Sequence, residues 1–139
     1  MRKLRPSSRG GIEVRLLLDT AALIFAVESP ENLSTRAKAV LQNPQNTLEL
    51  SAISLVEIAI KSALGKLRLS AEDARRAVDE LGVRILPYTS KHAFHLFELP
   101  LHHRDPFDRQ IIAQALVEKI PIATPDDKFS LYKGLKIIW

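Results

Sequence analysis

Short apolar runs alternate with helix-forming segments along most of this chain. Runs rich in leucine, isoleucine and valine predict strands at residues 14–18, 48–53, 83–86, 120–124 and 135–139. Strands separated by helices are joined as parallel neighbours through right-handed crossovers. The pattern therefore predicts an α/β domain built on a central parallel sheet.

Capping residues place helices between these strands. Ser34, Ser54 and Ser70 each stand before a helix-forming run, and Asp105 followed by Pro106 is a further start signal. The predicted helices cover residues 21–27, 34–42, 54–64, 70–81, 90–99, 105–119 and 126–132.

Length and composition favour one domain with a hydrophobic core. The chain has 139 residues, of which 46% are hydrophobic, and chains of this size bury roughly two-thirds of their unfolded surface. The absence of cysteine excludes disulfides and thiolate metal sites. The absence of cysteine also fits a reducing cytoplasm, and no apolar run approaches the roughly 20 residues of a membrane span. We therefore expect a cytoplasmic protein without a membrane partner.

The positive charge is concentrated at the start of the sequence. The net charge is +4, and residues 1–15 hold five basic residues against one acid, which leaves fifteen of each sign in the remainder. Proline, serine and paired glycine in residues 1–13 predict a disordered basic leader before a domain at residues 14–139. If several acids are gathered in one site, the remaining surface is net positive, which is compatible with a polyanionic substrate.

Acidic residues recur where an apolar run gives way to a predicted helix. They are Asp19, Glu57, Asp105, Asp108 and Asp126. Ligand and catalytic sites of open α/β sheets lie outside the carboxyl ends of the strands, where such residues converge. A carboxylate cluster without cysteine suits a hard cation such as Mg²⁺ or Mn²⁺. The cluster favours a metal-dependent phosphodiester enzyme.

Several of these acids also have a structural interpretation. Ser54 and Glu57 are spaced as a capping box, and Lys61 could pair with Glu57 one helical turn later. The surrounding helix is apolar nearly all round, so Glu57 is predicted to be buried and to need a partner. Asp105 is a natural cap for the helix that Pro106 begins, and a structural role is the stronger interpretation for it.

Four blocks of sequence follow one another in order over residues 14–139. They read LLLDTAALIFAV, SAISLVEIAIKSALGKL, LPLHHRDPFDRQIIAQAL and ATPDDKFSLY. Together they resemble the signature blocks of PIN-domain proteins, and more narrowly the VapC-type ribonuclease toxins of bacterial toxin–antitoxin pairs. The resemblance implies a three-layer α/β/α fold, a metal-dependent endoribonuclease using Mg²⁺ or Mn²⁺, an RNA substrate, a cognate antitoxin and a homodimer.

The same resemblance implies a set of site residues. The four acids of the family fall on Asp19, Glu57, Asp108 and Asp126. Asp19 and Asp108 are expected to bind the metal directly, while the other two would hold waters or a second ion. The expected supporting residues are Thr124, Asp105 and Arg109. The sequence departs from the family pattern at Val56, where an aromatic residue often precedes the glutamate, and in the segment before Val14.

The histidines carry less information. His102 and His103 are adjacent and are interpreted as loop-surface residues, although His103, Arg104 or Arg109 could contact substrate phosphates. Arg109 could instead pair with an acid. His92 and His95 are interpreted as packing or surface residues, and the neighbouring phenylalanines as part of the core or of a dimer surface.

Two other classes of protein remain open at this point. The first is a magnesium-dependent phosphohydrolase that uses Asp19 as a covalent nucleophile, although Thr20 and Ala21 stand where its D-x-D motif would continue. The second is a non-catalytic module that binds RNA or protein. The presence of all four acids argues against a degenerate site.

Overall fold

A parallel sheet of five strands organises residues 14–139, the part of the chain that the computed structural model describes. The strands are β1 (Val14–Leu18), β2 (Asn46–Ser51), β3 (Arg84–Leu86), β4 (Ile122–Ala123) and β5 (Ile137–Ile138), in the spatial order β3-β2-β1-β4-β5. Every neighbouring pair is parallel. The predicted central parallel sheet is confirmed, and the predicted leader at residues 1–13 lies outside the described residues.

Helices cover both faces of the sheet and give the predicted three layers. They are α1 (Thr20–Glu28), α2 (Thr35–Gln42), α3 (Ala52–Ala63), α4 (Ala71–Leu81), α5 (Ser90–His95) and α6 (Pro106–Glu118). Short 3₁₀ helices cover Pro30–Asn32, Leu96–Glu98 and Asp127–Leu131. The second of these forms the end of the helix predicted at residues 90–99. None of the helices in the described part of the chain combines the length and hydrophobicity that a bilayer crossing requires.

The core is divided by β1, which lies at the centre of the sheet. Successive side chains of a strand point to opposite faces. Leu16 and Leu18 therefore pack into one buried cluster with α1, α2 and α4, while Leu17 packs into a second cluster with α6. All three leucines are fully buried. This position of β1 places its carboxyl end in the middle of the sheet edge.

Helix α3 begins earlier than predicted. The side chain of Ser51, the last residue of β2, accepts a hydrogen bond from the Ile53 amide at 2.9 Å and caps the helix. The predicted capping box of Ser54 and Glu57 is therefore wrong. Pairing with β3 ends at Ser51, so the chain leaves the sheet there although Ile53 continues the apolar run.

A polar network fixes the carboxyl end of α6 to the sheet. The guanidinium of Arg15 on β1 pairs with Glu49 on β2 and donates to Glu118 on α6 at 3.1 Å. The other carboxylate oxygen of Glu118 lies 2.9 Å from His92 Nε2. His92 is buried, as its interpretation as a packing residue requires. This network holds α6 in place from the end opposite to the one that carries Asp108.

Helix α4 has the cap that the sequence predicts. Ser70 Oγ accepts from the Asp73 amide at 3.1 Å, and Asp73 accepts in return from the Ser70 amide at 3.0 Å. We expect Ser70→Ala to lower the free energy of unfolding by about 1 kcal/mol, because one amide of the first turn loses its partner. Urea denaturation followed by circular dichroism measures this loss. Ser90→Ala, at an exposed position on α5, is the control, and an equal loss in both variants would contradict the capping role.

Candidate active site

Asp19 links the central strand to the first helix. It follows β1 and caps α1, with Oδ1 accepting from the Ala22 amide at 2.7 Å and Oδ2 accepting from the Thr124 hydroxyl. The pairing of β1 with β4 brings Thr124 to this point. Asp19 is only 4% exposed, and burial raises its pKa to about 7 although both hydrogen bonds oppose the shift. The cost of ionising a buried carboxyl falls when a cation binds beside it.

Glu57 approaches the same region from α3. It is buried, and its Oε1 accepts from Thr20 Oγ1 at 2.7 Å. Thr20 Oγ1 also lies 2.9 Å from the hydroxyl of Ser54. The other oxygen of Glu57 pairs with Lys61, so the predicted pair one turn apart is confirmed. Glu57 is therefore a buried acid with polar partners, and its role in the helix cap is excluded by the position of Ser51.

Asp108 enters the site from the first turn of α6. Asp105 caps that helix by accepting from the amides of Phe107 and Asp108, each at 2.9 Å, so the predicted cap is confirmed. Burial, followed by the negative charges of Asp105 and Glu57, raises the pKa of Asp108 to about 6. Asp105 lies in the same turn as Asp108, whereas Glu57 lies on α3, which is far from α6 in the sequence.

Asp126 and His103 complete the group. Asp126 Oδ1 accepts from the Lys128 amide at 2.9 Å, and its Oδ2 lies 3.0 Å from His103 Nε2. The same histidine nitrogen lies 3.0 Å from Asp108 Oδ2. One potential ligand atom from each of these three residues falls within 4.8 Å of the other two.

The sequence did not predict that His103 is buried among the acids of the site. Its interpretation as a loop-surface residue is wrong, because it is only 8% exposed and lies between two acids. A pair of adjacent histidines gives no periodic signal of burial. In the structure His103 Nδ1 accepts a hydrogen bond from the Asp105 amide at 3.2 Å, a contact that the spacing of the two residues does not predict.

Arg109 holds the loop that carries His103. Its guanidinium donates to the carbonyls of Leu99, Pro100 and His103 and to the Tyr132 hydroxyl, at 2.9 to 3.3 Å. Within residues 14–139 it forms no ion pair, so the alternative that it pairs with an acid is not borne out by this part of the chain. The guanidinium supports the site through the loop backbone.

The donor set fits a hard divalent cation. Burial is the largest cause of the raised pKa values of Asp19 and Asp108. The negative charges of neighbouring acids raise both pKa values further, and Glu57 contributes to each. This is the behaviour of carboxylates gathered without enough positive charge. Oxygen donors of this kind suit Mg²⁺ or Mn²⁺. Among the described residues, no hydrogen bond reaches Asp108 Oδ1, which leaves that atom free to act as a ligand.

Comparison with known proteins places the chain in a family. Residues 16–135 match the PIN domain. No curated protein matches the sequence. The chain therefore belongs to the PIN domain family. Proteins of this family are generally nucleases, which supports a hydrolytic nuclease as the class of this protein.

Solved structures share the fold. The structure of VapBC2 from Rickettsia felis bound to a promoter DNA fragment aligns with a TM-score of 0.66 at 19% identity, covering 89% of this chain and 97% of that one. VapBC-1 from nontypeable Haemophilus influenzae gives 0.63 at 22% identity, covering 89% and 96%. The PIN domain endonuclease Utp24 gives 0.50 at 18% identity, covering 84% and 74%.

Proposed function

We propose that this protein is a metal-dependent endoribonuclease and the toxin of a toxin–antitoxin pair. The observation that carries the proposal is the convergence of acids from the end of β1, from α3 and from α6, two of which have pKa values raised to about 7 and about 6. A metal site explains why acids would be gathered where their mutual repulsion destabilises the fold. Helix capping explains only Asp19, Asp105 and Asp126.

The acids have different proposed roles. Asp19 and Asp108 would bind Mg²⁺ or Mn²⁺ directly, because they are the acids whose ionised forms most need a cation. Glu57 and Asp126 would orient water or a second ion. A bound divalent cation would activate water and offset charge on a phosphodiester. Thr124 keeps Asp19 in place by its hydrogen bond, and Asp105 does the same for the turn that carries Asp108.

The proposed partners are an RNA substrate, a cognate antitoxin protein and a second copy of the chain. Similarity to VapBC structures supports an antitoxin partner. Phe94 and Phe97 are 70% and 88% exposed, so their assignment to the core is wrong and the dimer surface remains a proposal. Two neighbouring phenylalanines with such large exposed fractions favour a contact with another protein.

One assay tests the activity. Purified protein is incubated with labelled tRNA and mRNA in Mg²⁺ or Mn²⁺, beside samples containing EDTA and beside the Asp19→Asn variant. We expect discrete cleavage products only with metal and only in the wild type, and suppression on addition of the antitoxin. Cleavage that persists in EDTA would contradict the metal-dependent mechanism.

The alternative classes have separate tests. A phosphohydrolase with Asp19 as nucleophile would form a phosphorylated enzyme that can be trapped, but the D-x-D motif of that chemistry is missing, because Thr20 and Ala21 follow Asp19. A non-catalytic binding module would bind RNA without cleaving it and would show no metal binding. No feature of the described residues favours either class over the nuclease.

We further propose that residues 14–139 form a self-sufficient domain. Deletion of residues 1–13 removes four basic residues and one acid and none of the described elements. The truncated chain is expected to keep its circular dichroism spectrum and its metal-dependent cleavage. If the deleted charges neutralise RNA phosphates, the slope of log affinity against log salt falls by roughly 0.7 for each phosphate that is no longer neutralised on a single strand. An unfolded truncation would contradict the domain boundary.

A further inference from the structure

The ring and the backbone of His103 both have close partners. The ring packs edge-on against Phe129, with ring centroids 5.8 Å apart. The His103 amide donates to the Tyr132 hydroxyl at 2.8 Å, and its carbonyl accepts from Arg109. Only 8% of the residue is exposed.

A backbone hydrogen bond determines which ring nitrogen carries the proton. The Asp105 amide lies 3.2 Å from His103 Nδ1 and donates to it. A backbone N–H can only donate, so Nδ1 must accept with its lone pair. The hydrogen of the neutral ring is therefore on Nε2, which is 3.0 Å from Asp126 Oδ2 and also 3.0 Å from Asp108 Oδ2.

This tautomer disfavours His103 as a metal ligand. A cation bound to Nε2 would need the hydrogen on Nδ1, where it would face the Asp105 N–H, another donor. Histidines that bind metals usually donate from the second ring nitrogen to an acceptor. Relief of that conflict would require movement of Asp105, whose carboxylate caps α6 and fixes the turn of Asp108.

We propose that His103 is a positioning residue for Asp126. As an Nε2–H donor, it holds the Asp126 carboxylate within ligand distance of Asp108 and keeps this geometry when a divalent cation binds. The inference rests on the proposed function, because it assigns His103 a role in the same site. It excludes His103 from the ligand set, although the three side chains lie close enough to share an ion.

The tautomer is measurable without any activity. ¹⁵N-labelled histidine gives distinct shifts for protonated and unprotonated ring nitrogens, and the spectrum of His103→Gln identifies the signals of His103 among the four histidines. We expect the Nε2–H form in the metal-free protein and the same form at saturating Mg²⁺. An Nδ1–H form in EDTA, or a change to it on Mg²⁺ addition, would overturn the proposal.

Matched substitutions test the role through Asp126. The amide of His103→Gln reaches the place of Nε2, whereas the shorter His103→Asn does not. Mn²⁺ binding is measured by calorimetry and electron paramagnetic resonance, with folding checked by circular dichroism. His103→Asn is expected to weaken Mn²⁺ binding by about 10- to 100-fold, and His103→Gln to stay close to wild type.

A double-mutant cycle completes the test. In an Asp126→Asn background, His103→Asn is expected to cause a smaller loss than in the wild type, because the carboxylate of Asp126 is gone and only the contact of Nε2 with Asp108 remains. Equal losses of Mn²⁺ affinity in His103→Asn and His103→Gln would overturn the positioning role. So would a loss from His103→Asn that is as large in the Asp126→Asn background as in the wild type. Absence of Mn²⁺ binding in the wild type would instead overturn the proposed function, while the tautomer measurement in EDTA still decides the hydrogen-bond geometry.

Discussion

Asp108→Asn and Asp19→Asn are each expected to abolish metal-dependent cleavage while the fold is retained. Each substitution removes a negative oxygen ligand from a hard cation and leaves the side-chain shape nearly unchanged. Since loss of a residue that merely orients a ligand typically costs about 10- to 100-fold, loss of a ligand is expected to exceed about 100-fold. Single-turnover cleavage at saturating Mg²⁺ measures the effect.

The neighbouring acid provides the matched control. Asp127 is exposed and follows Asp126 directly, so Asp127→Asn removes the same charge at nearly the same place. It is expected to retain most activity, whereas Asp126→Asn loses more. Full activity of Asp19→Asn or Asp108→Asn would contradict the site assignment. A larger loss in Asp127→Asn than in Asp126→Asn would show that Asp127, and not Asp126, is the acid of the site.

The second large effect is a pH-dependent loss of stability in the metal-free protein. The folded-state pKa values of Asp19 and Asp108, about 7 and about 6, lie above the ordinary value of 3.8. The folded state therefore binds more protons than the unfolded state between these values. The protonated carboxyls therefore stabilise the folded state fully below about pH 4, and this stabilisation is lost as the pH rises towards about 7. The total change is on the order of a few kcal/mol, since one pKa unit corresponds to about 1.36 kcal/mol.

Thermal melts with EDTA and with Mn²⁺ at several pH values measure this effect. In EDTA, the melting temperature of the wild type is expected to fall from about pH 5 to about pH 7.5, and Asp19→Asn to flatten the curve and melt higher at the upper end. Mn²⁺ should restore the loss by binding the folded state, and less so at low pH where protons compete. Identical wild-type melts in EDTA and Mn²⁺ at the upper pH would count heavily against a metal site.

Much of the fold follows from local sequence signals. The triple leucine of β1 and the acid after it predict both the strand and its end, because a run buried on both faces must be continuously apolar. Asp105 and Pro106 likewise predict the start of α6. These signals act within a few residues, so they need no knowledge of distant contacts.

Other features depend on distant partners and could not be predicted locally. The predicted start of α3 is wrong because Ser51 and Ser54 are both suitable caps, and only the pairing of β2 with β3 decides between them. The burial of His103 depends on Phe129 and Tyr132, which follow it by more than twenty residues. Contacts of that kind carry no signature in the spacing around His103.

The strand order also determines when the site exists during synthesis. Strand β1, made first, is completed on one side by β2 and on the other by β4, which is followed by Thr124 and leads to Asp126. A chain emerging from the ribosome therefore lacks the partner of Asp19 until residue 124 has been made, even if the earlier elements have already folded. Fragments that end before residue 124 lack both Thr124 and Asp126, so under the proposed function they are expected to be inactive.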